Sequence, residues 1–162
     1  MKTSKLILLW LICIAATMPA IAQDRSEKKA KIERAVKEAI DSKNFKINVD
    51  RMQPMRGNSR TLTSSYSLKI KNDSVFSNLP YFGVAYSVPY GGGKGLNFNE
   101  PISEYKVEHL KKGKVKIDFE TRSEGDNYKY SLTIFPNGST SINVVPTNRQ
   151  SISYTGDMET KE

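Results

Sequence analysis

A strict alternation of apolar and polar residues through the C-terminal third is the feature that most constrains this fold. Alternation sends successive side chains to opposite faces of a strand, so each such segment buries one face and exposes the other to solvent. Between two of the segments stands Asn137-Gly138, the preferred dipeptide of a two-residue hairpin turn. The pattern therefore predicts consecutive antiparallel strands. The alternating segments are residues 115–120, 128–134, 142–144 and 152–154.

The rest of the chain extends this pattern behind one helix. Residues 24–42 place Ile32, Val36 and Ile40 at four-residue spacing, which is typical of an amphipathic helix. About eight to ten short strands with turn signals follow. We expect a mainly β (α+β) fold: an antiparallel meander closed as a small lipocalin-like barrel, or folded as a β-sandwich. The expected bounds are 23–44 for the helix, 45–157 for the β domain and 158–162 for a polar tail.

The N-terminus has the three parts of a cleavable export signal. A basic start (Lys2, Lys5) precedes an apolar run over residues 6–17, and Ala20-Ile21-Ala22 forms a small-residue cleavage site. We expect residues 1–22 to be the signal peptide, cleaved after Ala22, and the protein to be exported to the periplasm or the extracellular space. The apolar run is too short for a spanning helix, so we expect no membrane-spanning segment.

The composition of the exported part narrows its chemistry further. Cys13, the only cysteine, follows Ile12 inside the apolar run, whereas a lipoprotein signal places a small residue before a cysteine at the end of that run. We therefore expect no lipid anchor and no disulfide. Removing residues 1–22, which hold two lysines and no acid, lowers the formal charge from +8 to +6. Export argues against nucleic acid as the partner of this basic chain, and the charge also serves solubility.

Residue types for common active sites are scarce. His109 is the only histidine, and the chain has no GxSxG nucleophile turn. Four acids, Asp118, Glu120, Glu124 and Asp126, surround one predicted hairpin, and paired acids can hydrolyse glycosides. Their alternation with apolar residues instead indicates a solvated strand face. We expect a non-enzymatic protein with no cofactor and no metal site, and we keep a cryptic hydrolase at this hairpin as the third alternative.

Residues 79–98 hold the densest group of aromatics, glycines and prolines in the chain. By parity, a bulky face carries Phe82, Tyr86 and Tyr90, while Tyr81 shares the other face with small residues. Tyrosines beside the glycine-rich residues 91–95 could stack on a sugar or contact an apolar ligand, or they could belong to the core above a long hairpin turn. A second patch, residues 149–156, holds Arg149, which could bridge to an acid or contact an anionic ligand, and Tyr154. The candidate binding residues are Tyr81, Phe82, Tyr86, Tyr90, Arg149 and Tyr154.

Two short segments resemble a known family. Residues 79–83 (LPYFG) and residues 149–156, with Arg149-Gln150 and Tyr154-x-Gly156, are similar to exported proteins of Gram-negative anaerobes that are described only as a domain of unknown function. The resemblance implies a shared layout of signal peptide, N-terminal helix and β-rich domain. It implies no activity, because that family has no established catalytic or binding residues.

These observations favour a secreted or periplasmic binding module whose ligand is a glycan or a small amphiphile. A small barrel can hold one ligand in its mouth, and this interpretation fails if the interior is filled and no concave aromatic site exists. The alternative is a structural or protein-interaction component of the cell envelope. In that case residues 79–98 would present an exposed edge to a partner strand.

Overall fold

The computed structural model describes residues 19–86 and 95–159, with the backbone alone for residues 19–24. Within these residues, one helix, α1, is followed by nine strands and a single short 3₁₀ turn (Lys111–Gly113). The helix spans Pro19–Asp41, and the strands are β1 (Asn44–Pro54), β2 (Arg60–Lys71), β3 (Ser74–Leu79), β4 (Leu96–Pro101), β5 (Ser103–His109), β6 (Val115–Ser123), β7 (Asp126–Ile134), β8 (Ser139–Pro146) and β9 (Ile152–Met158).

All nine strands belong to one antiparallel sheet with the order β4-β3-β2-β1-β9-β8-β7-β6-β5. The two strands at the ends of this order, β4 and β5, are consecutive in the chain. Thr121 Oγ1 on β6 donates to the carbonyl oxygen of Pro101 at 2.9 Å, and Ser123 Oγ donates to Oε1 of Glu100 at 3.1 Å. β4 thus pairs with β3, and β5, the next strand in the chain, pairs with β6. This nearly closes the sheet into a barrel. The predicted α+β class is confirmed, and the barrel is the form it takes.

The barrel interior is filled by the apolar side chains that the alternation assigns to one face. On β7 every even-numbered residue from Tyr128 to Ile134 is buried. The Phe119 and Tyr130 rings stack with centroids 4.8 Å apart and planes 4° apart. Leu68 and Leu96, from the other half of the sheet, are fully buried as well. The side chains themselves therefore occupy the space that a wider barrel would offer to a ligand.

Helix α1 packs on one end of the barrel through its C-terminal half. Val36 and Ile40 are buried, and Val36 lies beside Gly138 in the β7–β8 hairpin. Residues 25–34 are exposed. The helix stops before Lys43, whose positive φ of 48° turns the chain into β1. The helix thus starts before the expected residue 23 and ends before the expected residue 44.

Among residues 19–86 and 95–159, no helix combines the length and the hydropathy needed to cross a bilayer. The predicted signal peptide falls largely outside the described residues.

Candidate functional site

Residues 79–86, here called the covering segment, cross the end of the barrel opposite α1. They leave β3 at Leu79 and reach the loop between β8 and β9, although β2 and β1 separate β3 from β9 in the sheet. There Ala85 forms an isolated bridge with Arg149. The N–H of Tyr86 donates to Asn148 at 2.8 Å, and the N–H of Gln150 donates to Val84 at 3.0 Å. The covering segment is therefore fixed at both of its ends.

The inner side of the covering segment is held by two tyrosine hydroxyls. Tyr154, buried on β9, donates to the carbonyl of Pro80 at 2.7 Å. Tyr81 donates to the carbonyl of Gln150 at 2.9 Å. Burial raises the pKa of both hydroxyls, and at Tyr81 the nearby Arg149 opposes that shift. Both phenols stay protonated at neutral pH and act as hydrogen-bond donors.

Arg149 lies beneath Tyr81 and faces an acid of the protein itself. Its guanidinium is 5.5 Å from the Tyr81 ring centroid, and its Nε lies 3.9 Å from Oδ2 of Asp126. The other carboxylate oxygen of Asp126 accepts the backbone N–H groups of Thr147 and Asn148, each at 3.1 Å. Arg149 and Asp126 are 6% and 4% exposed. Of the two roles open to Arg149, the structure shows the bridge to an acid.

The outer side of the covering segment carries three apolar side chains in water. Phe82, Val84 and Tyr86 are 48%, 54% and 69% exposed, and we call them the apolar ridge. Arg60, at the start of β2, places its guanidinium 5.1 Å from the Phe82 ring centroid. A row of exposed apolar side chains on a fixed backbone, with a cation at its edge, can receive an apolar group that carries a negative charge.

The six candidate residues thus divide into two layers. Tyr81, Arg149 and Tyr154 come together beneath the covering segment, while Phe82 and Tyr86 lie on its outer side, and Tyr90 lies outside the described residues. Over the described residues the mouth is covered and the interior is filled. The concave aromatic site that we expected in the mouth is absent from this part of the chain.

Two contributors escaped the sequence reasoning. Asp126 stood among the hairpin acids, but no local pattern pairs it with Arg149. Arg60 follows a loop far from Phe82 in sequence, and only the folded barrel brings the two together.

The hairpin acids do not converge on one point. Asp118 pairs with Lys116 at 2.9 Å and Glu120 pairs with Lys129 at 2.6 Å, both on the outer wall of the barrel. Asp126 is instead buried under the covering segment. Within residues 19–86 and 95–159, no group of three or more metal-ligating side chains is close enough to hold an ion.

Comparison with known proteins identifies relatives but no activity. The family described as a domain of unknown function (DUF4251) matches residues 27–158. No curated protein matches the chain. Among solved structures, the crystal structure of a DUF4251 family protein from Bacteroides eggerthii is similar, with a TM-score of 0.65 and 17% sequence identity over 81% of this chain and 89% of that one. At this identity the likeness shows a shared fold.

Proposed function

The chain belongs to the DUF4251 family, and we propose from the geometry of its own residues that it is an exported, non-enzymatic binding module for a small amphiphile. The observation that carries the proposal is the apolar ridge. Its three side chains stand 48–69% exposed on a backbone that hydrogen bonds already hold in place. A preorganised surface loses little conformational entropy when it binds, so most of the buried apolar area contributes to affinity.

The composition of the ridge favours an amphiphile over a neutral glycan. Phe82 and Val84 offer no side-chain hydrogen-bonding group, and sugars need several such groups from a protein surface. Arg60, next to Phe82, supplies a positive charge that suits an acidic head group. A bile-type or fatty acid fits both parts of this surface.

The export part of the proposal rests on the N-terminal sequence, with its basic start, apolar run and Ala20-Ile21-Ala22 site. Expression of the whole chain in a Gram-negative host tests it. We expect the protein in the periplasmic fraction or the medium, with Gln23 as its first residue. An intact N-terminus in the cytosolic fraction would contradict export.

Binding is tested by thermal unfolding of the exported chain in the presence of fatty acids, bile-type amphiphiles and neutral glycans. A ligand that binds only the native state raises the unfolding midpoint. We expect a shift with the acidic amphiphiles that Phe82→Ala and Tyr86→Ala both remove.

Matched controls are Val107→Ala and Val145→Ala, which truncate side chains 42% and 43% exposed elsewhere on the barrel. They should leave the shift unchanged. Equal losses in ridge and control variants would contradict the proposed surface. The absence of any shift would favour the envelope-protein alternative.

A further inference from the structure

The outer wall formed by β1 to β4 carries three lysines close together, with the carboxylate of Glu159 beside them. Lys46 on β1 lies directly opposite Lys69 on β2, and Lys71 follows on the same face. Like charges directly opposite each other destabilise a strand pair. Of these three lysines, only Lys46 has an ion pair among the described residues, to Glu159 at 2.8 Å. The hydrogen bond from Lys46 holds the pKa of Glu159 below its usual value.

Lys46 and Lys69 stand at the junction of two depressions. One, of about 530 Å³, runs between α1 and the first two strands, with small helix residues and Phe45 in its lining. The other crosses β2, β3 and β4 and is lined by Phe76, Phe98 and polar side chains. Lys46 and Lys69 line both depressions, which therefore lie side by side on the wall, and we call the two together the trough. The volume of the first depression alone lies within the range of small-ligand sites, about 300–1,000 Å³.

The second part of the trough has the groups that recognise a sugar. Phe76, 36% exposed, presents its ring on β3 beside Lys69, whose ammonium lies 5.9 Å from the ring centroid. The next row across the sheet is made of amides and a hydroxyl. It consists of Asn48, Ser67, Asn78 and Asn97, which pair in register from β1 to β4.

We propose that this trough binds an acidic oligosaccharide. The Phe76 ring packs on the apolar face of one sugar, the row of amides exchanges hydrogen bonds with its hydroxyls, and Lys69 with Lys71 pairs with the sugar carboxylates. Glu159 compensates Lys46 directly, so Lys69 and Lys71 are the cations left to meet an anionic ligand. The site lies on the side wall of the barrel, so it is independent of the apolar ridge at the barrel end.

The test is calorimetric titration of the exported chain with short oligogalacturonates, with neutral galacto-oligosaccharides of equal length as the comparison. We expect binding of the acidic oligomers only, with an affinity that falls as salt is added. Lys69→Gln and Phe76→Ala should each weaken binding about tenfold. Lys106→Gln, which removes an exposed lysine on β5, should leave it unchanged.

Folding of the variants is checked by their unfolding midpoints. Lys69→Gln removes one member of the like-charge pair, so its midpoint should stay or rise while binding falls. Phe76→Leu serves if Phe76→Ala does not fold, because it keeps an apolar side chain and removes the ring. Equal affinity for neutral and acidic oligomers, no effect of Lys69→Gln, or binding to anionic phospholipid vesicles alone would each overturn the proposal.

Discussion

Nε of Arg149 lies 3.9 Å from Oδ2 of Asp126, and both residues are almost completely buried under the covering segment. The pair joins the β8–β9 loop to the start of β7. The other carboxylate oxygen of Asp126, Oδ1, accepts hydrogen bonds from the backbone N–H groups of Thr147 and Asn148. A buried charge pair stabilises a fold little by itself, but one charge without its partner is costly.

Arg149→Met should therefore destabilise the protein strongly, because it leaves the Asp126 carboxylate buried without a cation. We expect the free energy of unfolding in urea to fall by about 3 kcal/mol. Arg122→Met, at an exposed position on β6, is the control and should change it by less than about 0.5 kcal/mol. Similar values for the two variants would show that Arg149 is not structural.

Gly156 on β9 should tolerate no side chain, since the β1 backbone passes against it. A Cβ at Gly156 would overlap the carbonyl oxygen of Asn48 and lie 2.8 Å from Cα of Val49, next to the irregularity in the β1–β9 pairing. Because both neighbours are backbone, Gly156→Ala should cost more than about 2 kcal/mol or prevent folding. Urea unfolding or soluble yield measures this.

Gly125→Ala is the matched comparison. Nothing lies within 4 Å of a Cβ there, but φ is +80°, so only conformational strain of about 1 kcal/mol opposes the change. If the two variants lost equal stability, the close approach of β1 to Gly156 would be contradicted.

Tyr105 on β5 should make stability fall at alkaline pH. Its hydroxyl is buried without a hydrogen-bond partner among the described residues, and burial raises its pKa to about 12. The unfolded pKa is about 10, so the contribution of the protonated form is complete below pH 10 and is lost as the pH rises towards 12.

Tyr105→Phe should remove that part of the pH dependence and leave stability at pH 7 unchanged or slightly higher, because no hydrogen bond is lost. The ring contact with Lys43, 4.8 Å from the centroid, can persist in phenylalanine. Urea unfolding at pH 7 and pH 11 measures the difference. A clear loss of stability at pH 7 would indicate a partner for the hydroxyl.

The strands and their buried faces could be predicted because period-two alternation is a local property. Residues 115–120, 128–134, 142–144 and 152–154 show it directly, and their inward positions are the buried ones. The choice of the closed barrel over the sandwich could not be made from the sequence. It depends on contacts of Thr121 and Ser123 with the end of β4, about twenty residues away in the chain, where no local pattern exists.

For the candidate site, the sequence predicted which side chains share a face of the covering segment but not which face is buried. Parity alone grouped Phe82 with Tyr86 and placed Tyr81 on the other side. It could not say which side meets water, because a bulky apolar row normally faces a core. The deciding groups, Gln150 and the buried pair of Arg149 with Asp126, are remote in sequence.

Truncation of the inner tyrosine, Tyr81, should lower the free energy of unfolding, whereas truncation of the outer tyrosine, Tyr86, should leave it almost unchanged. Tyr81→Phe removes the hydroxyl that donates to Gln150, which should cost about 1 kcal/mol of unfolding free energy. Tyr86→Ala removes a ring that is 69% exposed and should change stability by less than about 0.5 kcal/mol.

Hydrogen exchange gives the local readout for this pair. The N–H of Tyr86, which donates to Asn148, should exchange faster in Tyr81→Phe, because the covering segment is then held by fewer bonds. In Phe82→Ala its exchange should stay as in the wild type, since that side chain points away from the barrel. The reverse order of stabilities would mean that the ridge packs as core and that the inner tyrosine is dispensable, and the binding surface would then have to be sought on the barrel wall.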